Sequence, residues 1–171
     1  AGFSPLIPVK RSHAEFADFN ADGRMDFIYM GTKVNGLAHV QVVENVNGQP
    51  DAGQLLQPLD DGELSVTDAN ADGAVDVLAT GATILPERAL KLYLNNAEDP
   101  GILTDRSGQL TMTASNSNLV GTTGAGLAWL DITNFGQPGF LLTGIRPALT
   151  GEAWRNFGGG FYGTVTSPVP A

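Results

Sequence analysis

The sequence predicts an all-β chain assembled from three copies of one four-stranded antiparallel unit. Three observations carry this. The run Asp18 to Asp26, DFNADGRMD, recurs as DANADGAVD from Asp68 to Asp76 and, in damaged form, as DITNFGQPG from Asp131 to Gly139. Counted from the first loop residue, a closing glycine falls 13 positions later in every copy, at Gly31, Gly81 and Gly144. Between these landmarks lie short β-branched or aromatic runs punctuated by Gly, Asn and Asp, with no sustained helical period.

Each unit reads in the same order. A strand precedes the loop (Ala14 to Ala17, Leu64 to Thr67, Leu127 to Leu130), and an apolar second strand follows it: FIYMG at 27–31, VLATG at 77–81, FLLTG at 140–144. A third strand ends on asparagine in HVQVVEN, LKLYLNN and EAWRN. Asn45 and Asn95 lie 27 positions beyond the loop start and Asn156 lies 25, so the intervening hairpin varies in length. Fourth strands are expected at Gln54 to Gln57, Leu110 to Thr113 and Phe161 to Val165, giving units of about 14–57, 63–113 and 126–165. The Ser/Thr/Asn/Gly-rich stretch from Thr111 to Gly126 reads as a loop inserted between units. Within it GTTGAG, 121–126, resembles a phosphate-binding loop only superficially, because no Lys-Ser/Thr follows and a strand comes next. It reads as a turn, and Gly158 to Gly160 reads as a hairpin tip. Four strands per repeated unit is the plan of a β-propeller blade.

Composition bounds the function. With 171 residues, 22 glycines, 10 prolines and 42% apolar content, the chain can bury a core and is turn-rich rather than disordered. A net charge of −9 disfavours nucleic acid and anionic membrane surfaces. No apolar run approaches the roughly 20 residues that span a bilayer, and the residues from Ala1 show no signal-peptide pattern, so the chain reads as a mature or trimmed product. The absence of cysteine excludes disulfides, thiolate metal sites and a cysteine nucleophile.

The intact loops place acidic or amide side chains at positions one, three, five and nine, with glycine at six. Oxygen ligands on alternate residues suit a hard cation, and the natural guest is Ca²⁺, two per chain. In the first loop the expected ligands are Asp18, Asn20, Asp22, Asp26 and the backbone carbonyl of Arg24. In the second they are Asp68, Asn70, Asp72, Asp76 and the carbonyl of Ala74. Without a cation, three carboxylates on each short loop repel one another, so ion binding and local folding should be coupled. The alternative is that Asx-Gly loops are simply good turns whose side chains cap their own backbone. An EF-hand is rejected, because position twelve is Tyr29 or Ala79 rather than Glu and both flanks look like strands. The third loop keeps only Asp131, with Thr133, Phe135 and Gly139 at the other ligand positions. No tight ion is expected there, and Phe135 and Pro138 are expected to replace it with packing and a stiffened turn.

The paired loops, the VLATG-type strand and the LYLNN and WRNFGGGFYG segments together resemble the FG-GAP or VCBS repeat family, also seen in the headpiece of integrin α subunits. The resemblance covers about residues 14 to 165. It implies a β-propeller whose blades hold Ca²⁺ between their first two strands, in secreted or cell-surface proteins used for adhesion or for binding glycans or proteins. The chain departs from that pattern in blade count: closed propellers need about four to eight, and three are visible. Either a longer chain supplies the remainder or copies self-associate, for example two chains giving six blades.

Other chemistry is weakly signalled. His13 and Glu15 share a strand face by period two alone, and His39 is the only other histidine. No spacing singles out a glycosidase pair among Glu44, Asp51, Glu63 and Glu87. Trp129 and Trp154 read first as packing between units, with Trp154 the more exposed and the candidate for stacking on a sugar ring. The expected function is a calcium-stabilised recognition module rather than an enzyme. The alternatives are a polysaccharide lyase or glycosidase on the same scaffold, using acids or His39 at a central channel, and a structural spacer.

Overall fold

The computed structural model describes residues 6–83, 87–110, 121–145, 149–156 and 162–164. They form three four-stranded antiparallel sheets and no α-helix. The first holds β1 (Val9–Ala17), β2 (Asp26–Lys33), β3 (Ala38–Val46) and β4 (Gln49–Leu55), paired in chain order. The second repeats this with β5 (Asp60–Thr67), β6 (Asp76–Ala82), β7 (Arg88–Leu94) and β8 (Thr104–Asp105), and the third with β9 (Thr123–Leu130), β10 (Gly139–Ile145), β11 (Leu149–Asn156) and β12 (Tyr162–Thr164).

The register is common to all three. Phe27, Val77 and Phe140 each pair with the residue at one place on the third strand, Val43, Tyr93 and Trp154. On the first strand their partners are Phe16, Val66 and Trp129. Since directly paired residues share a face, equivalent positions in the three units point the same way.

The sheets stack face to face around two cores. Ile28, Met30, Val40 and Val42 of the first sheet pack on Leu64, Val77, Ala79 and Tyr93 of the second. The opposite face of the second sheet, with Leu78, Leu90 and Leu92, packs on Leu127, Phe140, Leu142, Trp154 and Tyr162. The middle sheet is therefore apolar on both faces, which explains why VLATG reads as a continuous apolar run. Across both joints the first strands, β1, β5 and β9, stand closest to one another.

Several expectations are corrected. The fourth strand of the second unit is Thr104–Asp105, not Leu110 to Thr113. Leu110 makes a single parallel bridge to Tyr162, and 111–113 lie outside the described residues. That short polar strand carries no apolar alternation, and its pairing is set by Tyr93 and Leu94 opposite. β4 begins earlier than Gln54, because the tight turn at Asn47 and Gly48, both at positive φ, folds it directly onto β3. Thr123 to Gly126 are strand rather than turn. The Gly158 to Gly160 tip lies outside the described residues.

Candidate functional site

The three loops share one backbone. Position four is left-handed in each (Ala21, Ala71, Asn134), and so is position six (Gly23, Gly73, Gly136). Glycine at six takes that conformation, at φ of 82, 93 and 75°, without the steric cost an L side chain meets there.

The first aspartate of each loop organises the bend. Asp18 accepts the N–H groups of Asp22 and Gly23 at 3.0 and 2.8 Å, and Asp68 those of Asp72 and Gly73 at 3.1 and 2.9 Å. Asp131 does the same for Phe135 and Gly136 at 3.3 and 2.6 Å. Desolvation, the largest single effect, works against the Asp131 carboxylate, but bonds from Gly136, Phe135 and Thr133 together outweigh it and hold its pKa below the usual value. The damaged loop therefore keeps the capping aspartate while losing the other acids.

In the intact loops the third position joins the first. Asn20 Oδ1 and Asp18 Oδ1 both accept from the Asp22 N–H, and Asn70 and Asp68 repeat this at Asp72. Position nine closes the loop from inside. Asp26 and Asp76 are fully buried, each accepting from the second loop residue and from the asparagine ending the third strand. The distances are 3.1 Å from Phe19 and 2.8 Å from Asn45 for Asp26, and 2.7 Å from Ala69 and 2.8 Å from Asn95 for Asp76. Burial, opposed by those two bonds and reinforced by the charges of Asp72 and Asp68, pushes Asp76 up to about 6.

The loops differ at position seven. Arg24 folds over the first, its guanidinium paired with Asp22 and its Nε donating to Asn45 O at 2.8 Å. Ala74 puts no cation there, and Asp72 instead accepts from the Asn70 amide at 3.0 Å. Among the described residues no group of three or more His, Asp or Glu side chains is gathered so that it could hold a metal ion. What the two loops gather is a set of hard oxygens held by the backbone in matching geometry.

The remaining candidates have structural roles. Trp154, expected to be the more exposed indole, is fully buried and stacks on Phe140 at 5.4 Å, so it offers no face to a sugar. Its polar neighbours Arg155 and Asn156 misled because alternation puts Arg155 on the opposite face, while Asn156 is itself buried. Trp129 is partly buried edge-on against Phe140, and its indole N–H finds no acceptor among the described residues. Phe135, expected to pack, is 78% exposed; Asp131 holds the loop without it. His13 sits 3.8 Å from both Glu15 and Glu63 and accepts the Leu64 N–H, linking two sheets. His39 is buried against Tyr29 and Gln41, and burial lowers its pKa, against a smaller raising effect of the Gln41 bond. Glu44 and Asp51 face each other across β3 and β4, and Glu87 borders residues outside those described.

Sequence reasoning missed the asparagines as links between units. Asn95 Nδ2 donates to Phe19 O at 2.8 Å, and Asn156 Nδ2 to Ala69 O at 2.9 Å. The signal was present in their recurrence where each third strand ends. Gln54 adds a reciprocal pair with the Leu103 backbone, 2.8 Å each way.

Compared with family models, curated proteins and solved structures, the chain matches none. No described helix is long and apolar enough to cross a membrane.

Proposed function

We propose that the chain is a calcium-stabilised β-propeller-type recognition module of the secreted or cell-surface kind, as its resemblance to FG-GAP or VCBS repeats implies. The observation that carries this is the duplication of one oxygen-rich loop in one geometry. Asp18, Asn20, Asp22 and Asp26 with the Arg24 carbonyl would hold one ion, and Asp68, Asn70, Asp72 and Asp76 with the Ala74 carbonyl the other. A hard divalent cation bound there supplies charge compensation and rigidity, not chemistry. Support comes also from the crowding of three carboxylates in the second loop, where Asp76 is already pushed up by burial and its neighbours.

The propeller reading draws on the convergence of β1, β5 and β9, since the first strands of blades line an axis. The asparagine bonds from the second unit to the first loop and from the third unit to the second loop support a reading in which the loops line one rim. A glycan or protein ligand would dock on that rim, where loop backbone is accessible and held by a rigid scaffold. The enzyme alternative gains no particular support, because His39 is buried and His13 is engaged between sheets.

Thermal unfolding in calcium and in chelator, with ions counted by native mass spectrometry, tests the reading. A higher melting temperature in calcium and two ions per chain are expected. Coincident melting curves with no bound ion would refute it.

A further inference from the structure

The two joints between sheets repeat position by position, and some of the same positions recur exposed at both ends of the stack, while Tyr29, His39 and Val43 on the first sheet's outer face are buried. From the shared register, Leu141 of the third sheet occupies the place of Ile28 and Leu78. Those two are fully buried by the next sheet, whereas Leu141 is 39% exposed. Leu130 likewise stands where Ala17 is buried in the first joint, yet it is exposed. At the other end, Phe16 holds the place of Val66 and Trp129. Both counterparts are partly buried against the preceding sheet, while Phe16 is 63% exposed.

The segment entering the first sheet repeats as well. Leu6-Ile7-Pro8-Val9 matches Leu56-Gln57-Pro58-Leu59. The Ile7 N–H donates to the Tyr29 hydroxyl and the Gln57 N–H to the Tyr93 hydroxyl, both at 3.2 Å. Leu56 is held inside the first joint at 8% exposure, but Leu6 is 47% exposed. A groove of about 460 Å³, whose apolar wall includes Leu6, Ile7, Val9 and Phe27 and whose polar members are Ser12 and His13, lies where the second sheet has its neighbour's side chains.

The rim link is half-made at each end. Ile132, second residue of the third loop, corresponds to Phe19 and Ala69, and its carbonyl receives no hydrogen bond among the described residues. Asn45, counterpart of Asn95 and Asn156, turns its amide back to Met25 O at 3.3 Å.

We propose that copies of this chain associate head to tail. The outer face of one copy's first sheet docks on the outer face of another copy's third sheet, with Asn45 of the first donating to the Ile132 carbonyl of the second. The contact reproduces joints already made twice inside the chain. It is heterologous, so it closes into a ring only if reciprocated, and two copies would then supply six sheets. The net charge of −9 opposes association, but at physiological ionic strength, with a Debye length of about 8 Å, repulsion outside the apolar contact is largely screened. The proposal does not depend on the loops holding calcium.

Sedimentation velocity at physiological ionic strength should show a species of at least two chains whose population rises with concentration. Phe16→Glu and Leu141→Arg, both at exposed positions, should each weaken association by more than about tenfold while leaving the far-ultraviolet circular dichroism unchanged. Because the chain has no cysteine, Val46→Cys and Ile132→Cys can be treated separately and mixed with a short bis-maleimide. A crosslinked dimer should form in the mixture and not with either variant alone. Monomers at every concentration would overturn the proposal, as would crosslinking by one variant alone. Ion count and subunit count are separate readings of a native mass spectrum, so failure here is distinguishable from failure of the calcium reading.

Discussion

Asn95 donates its side-chain amide to the backbone carbonyl of Phe19, 76 residues earlier in the chain. Its own side-chain oxygen accepts from Asn96 and Gly101, both at 3.0 Å, so one buried residue ties a loop of the first unit to the turn after β7. Asn156 repeats the donation to Ala69.

Asn95→Ala should therefore leave the Phe19 carbonyl and two N–H groups without their partner. An unsatisfied buried group costs about 1–3 kcal/mol, and at least that loss is expected in urea or thermal unfolding. Asn45→Ala, which has no inter-unit bond among the described residues, should cost less. Equal losses would show that the effect belongs to the strand end and not to the link between units.

The carboxylates at position nine separate structure from ion binding. Asp76→Asn replaces one acceptor oxygen with an NH₂ facing a backbone N–H, either at Ala69 or at Asn95. A loss of about 1–3 kcal/mol is expected even in chelator, with a further loss of calcium response at the second loop. The third loop cannot be repaired by the reverse change. A Cβ on Gly139 would stand 2.1 Å from the Trp154 carbonyl oxygen, backbone that cannot yield cheaply. Gly139→Ala should cost about 1–3 kcal/mol or more through overpacking, and adding Asp at 139 to Thr133→Asn and Phe135→Asp should create no third ion site.

These contrasts show what was legible beforehand. The three loops, the glycine at position six and the four-stranded unit followed from residue pattern, because local backbone demands and strand alternation are written in neighbouring residues. Exposure was not. Trp154 lies beside polar Arg155 and Asn156 in sequence, yet its burial depends on Phe140 and the second sheet. The eighth strand, two residues long, is defined by its partners rather than its composition. Asp26 and Asp76 stood out in the sequence as loop acids but not as buried caps on two backbone N–H groups, since one of their donors comes from β3 or from the end of β7, 19 residues on.

The two loops should differ in affinity. Arg24 already pairs with Asp22, so a cation entering the first loop competes with the guanidinium, whereas the second loop has only Ala74 there. An exposed ion pair contributes about 0–1 kcal/mol. Arg24→Ala should accordingly tighten calcium at the first loop by up to a few-fold and bring the two sites closer together in a titration by isothermal calorimetry. Weakened binding in that variant would mean that the arginine orders the loop more than it opposes the ion.

His39 should make stability depend on pH. Burial lowers its folded-state pKa, with the Gln41 bond opposing and the Lys33 charge adding to the fall. The unfolded chain, near the ordinary value of about 6.5, takes up the proton first as pH drops. Stability from this group is therefore fully present above about 6.5 and declines below it as pH falls toward the folded pKa. His39→Gln keeps a side chain able to bond Tyr29 but removes the titration. Urea midpoints measured in calcium at about pH 7.5 and about pH 5.5 should diverge more for the unmutated protein than for the variant. An identical pH dependence in the two proteins would mean that His39 takes its proton without strain in the folded chain, and that Tyr29 and Gln41 accommodate the imidazolium.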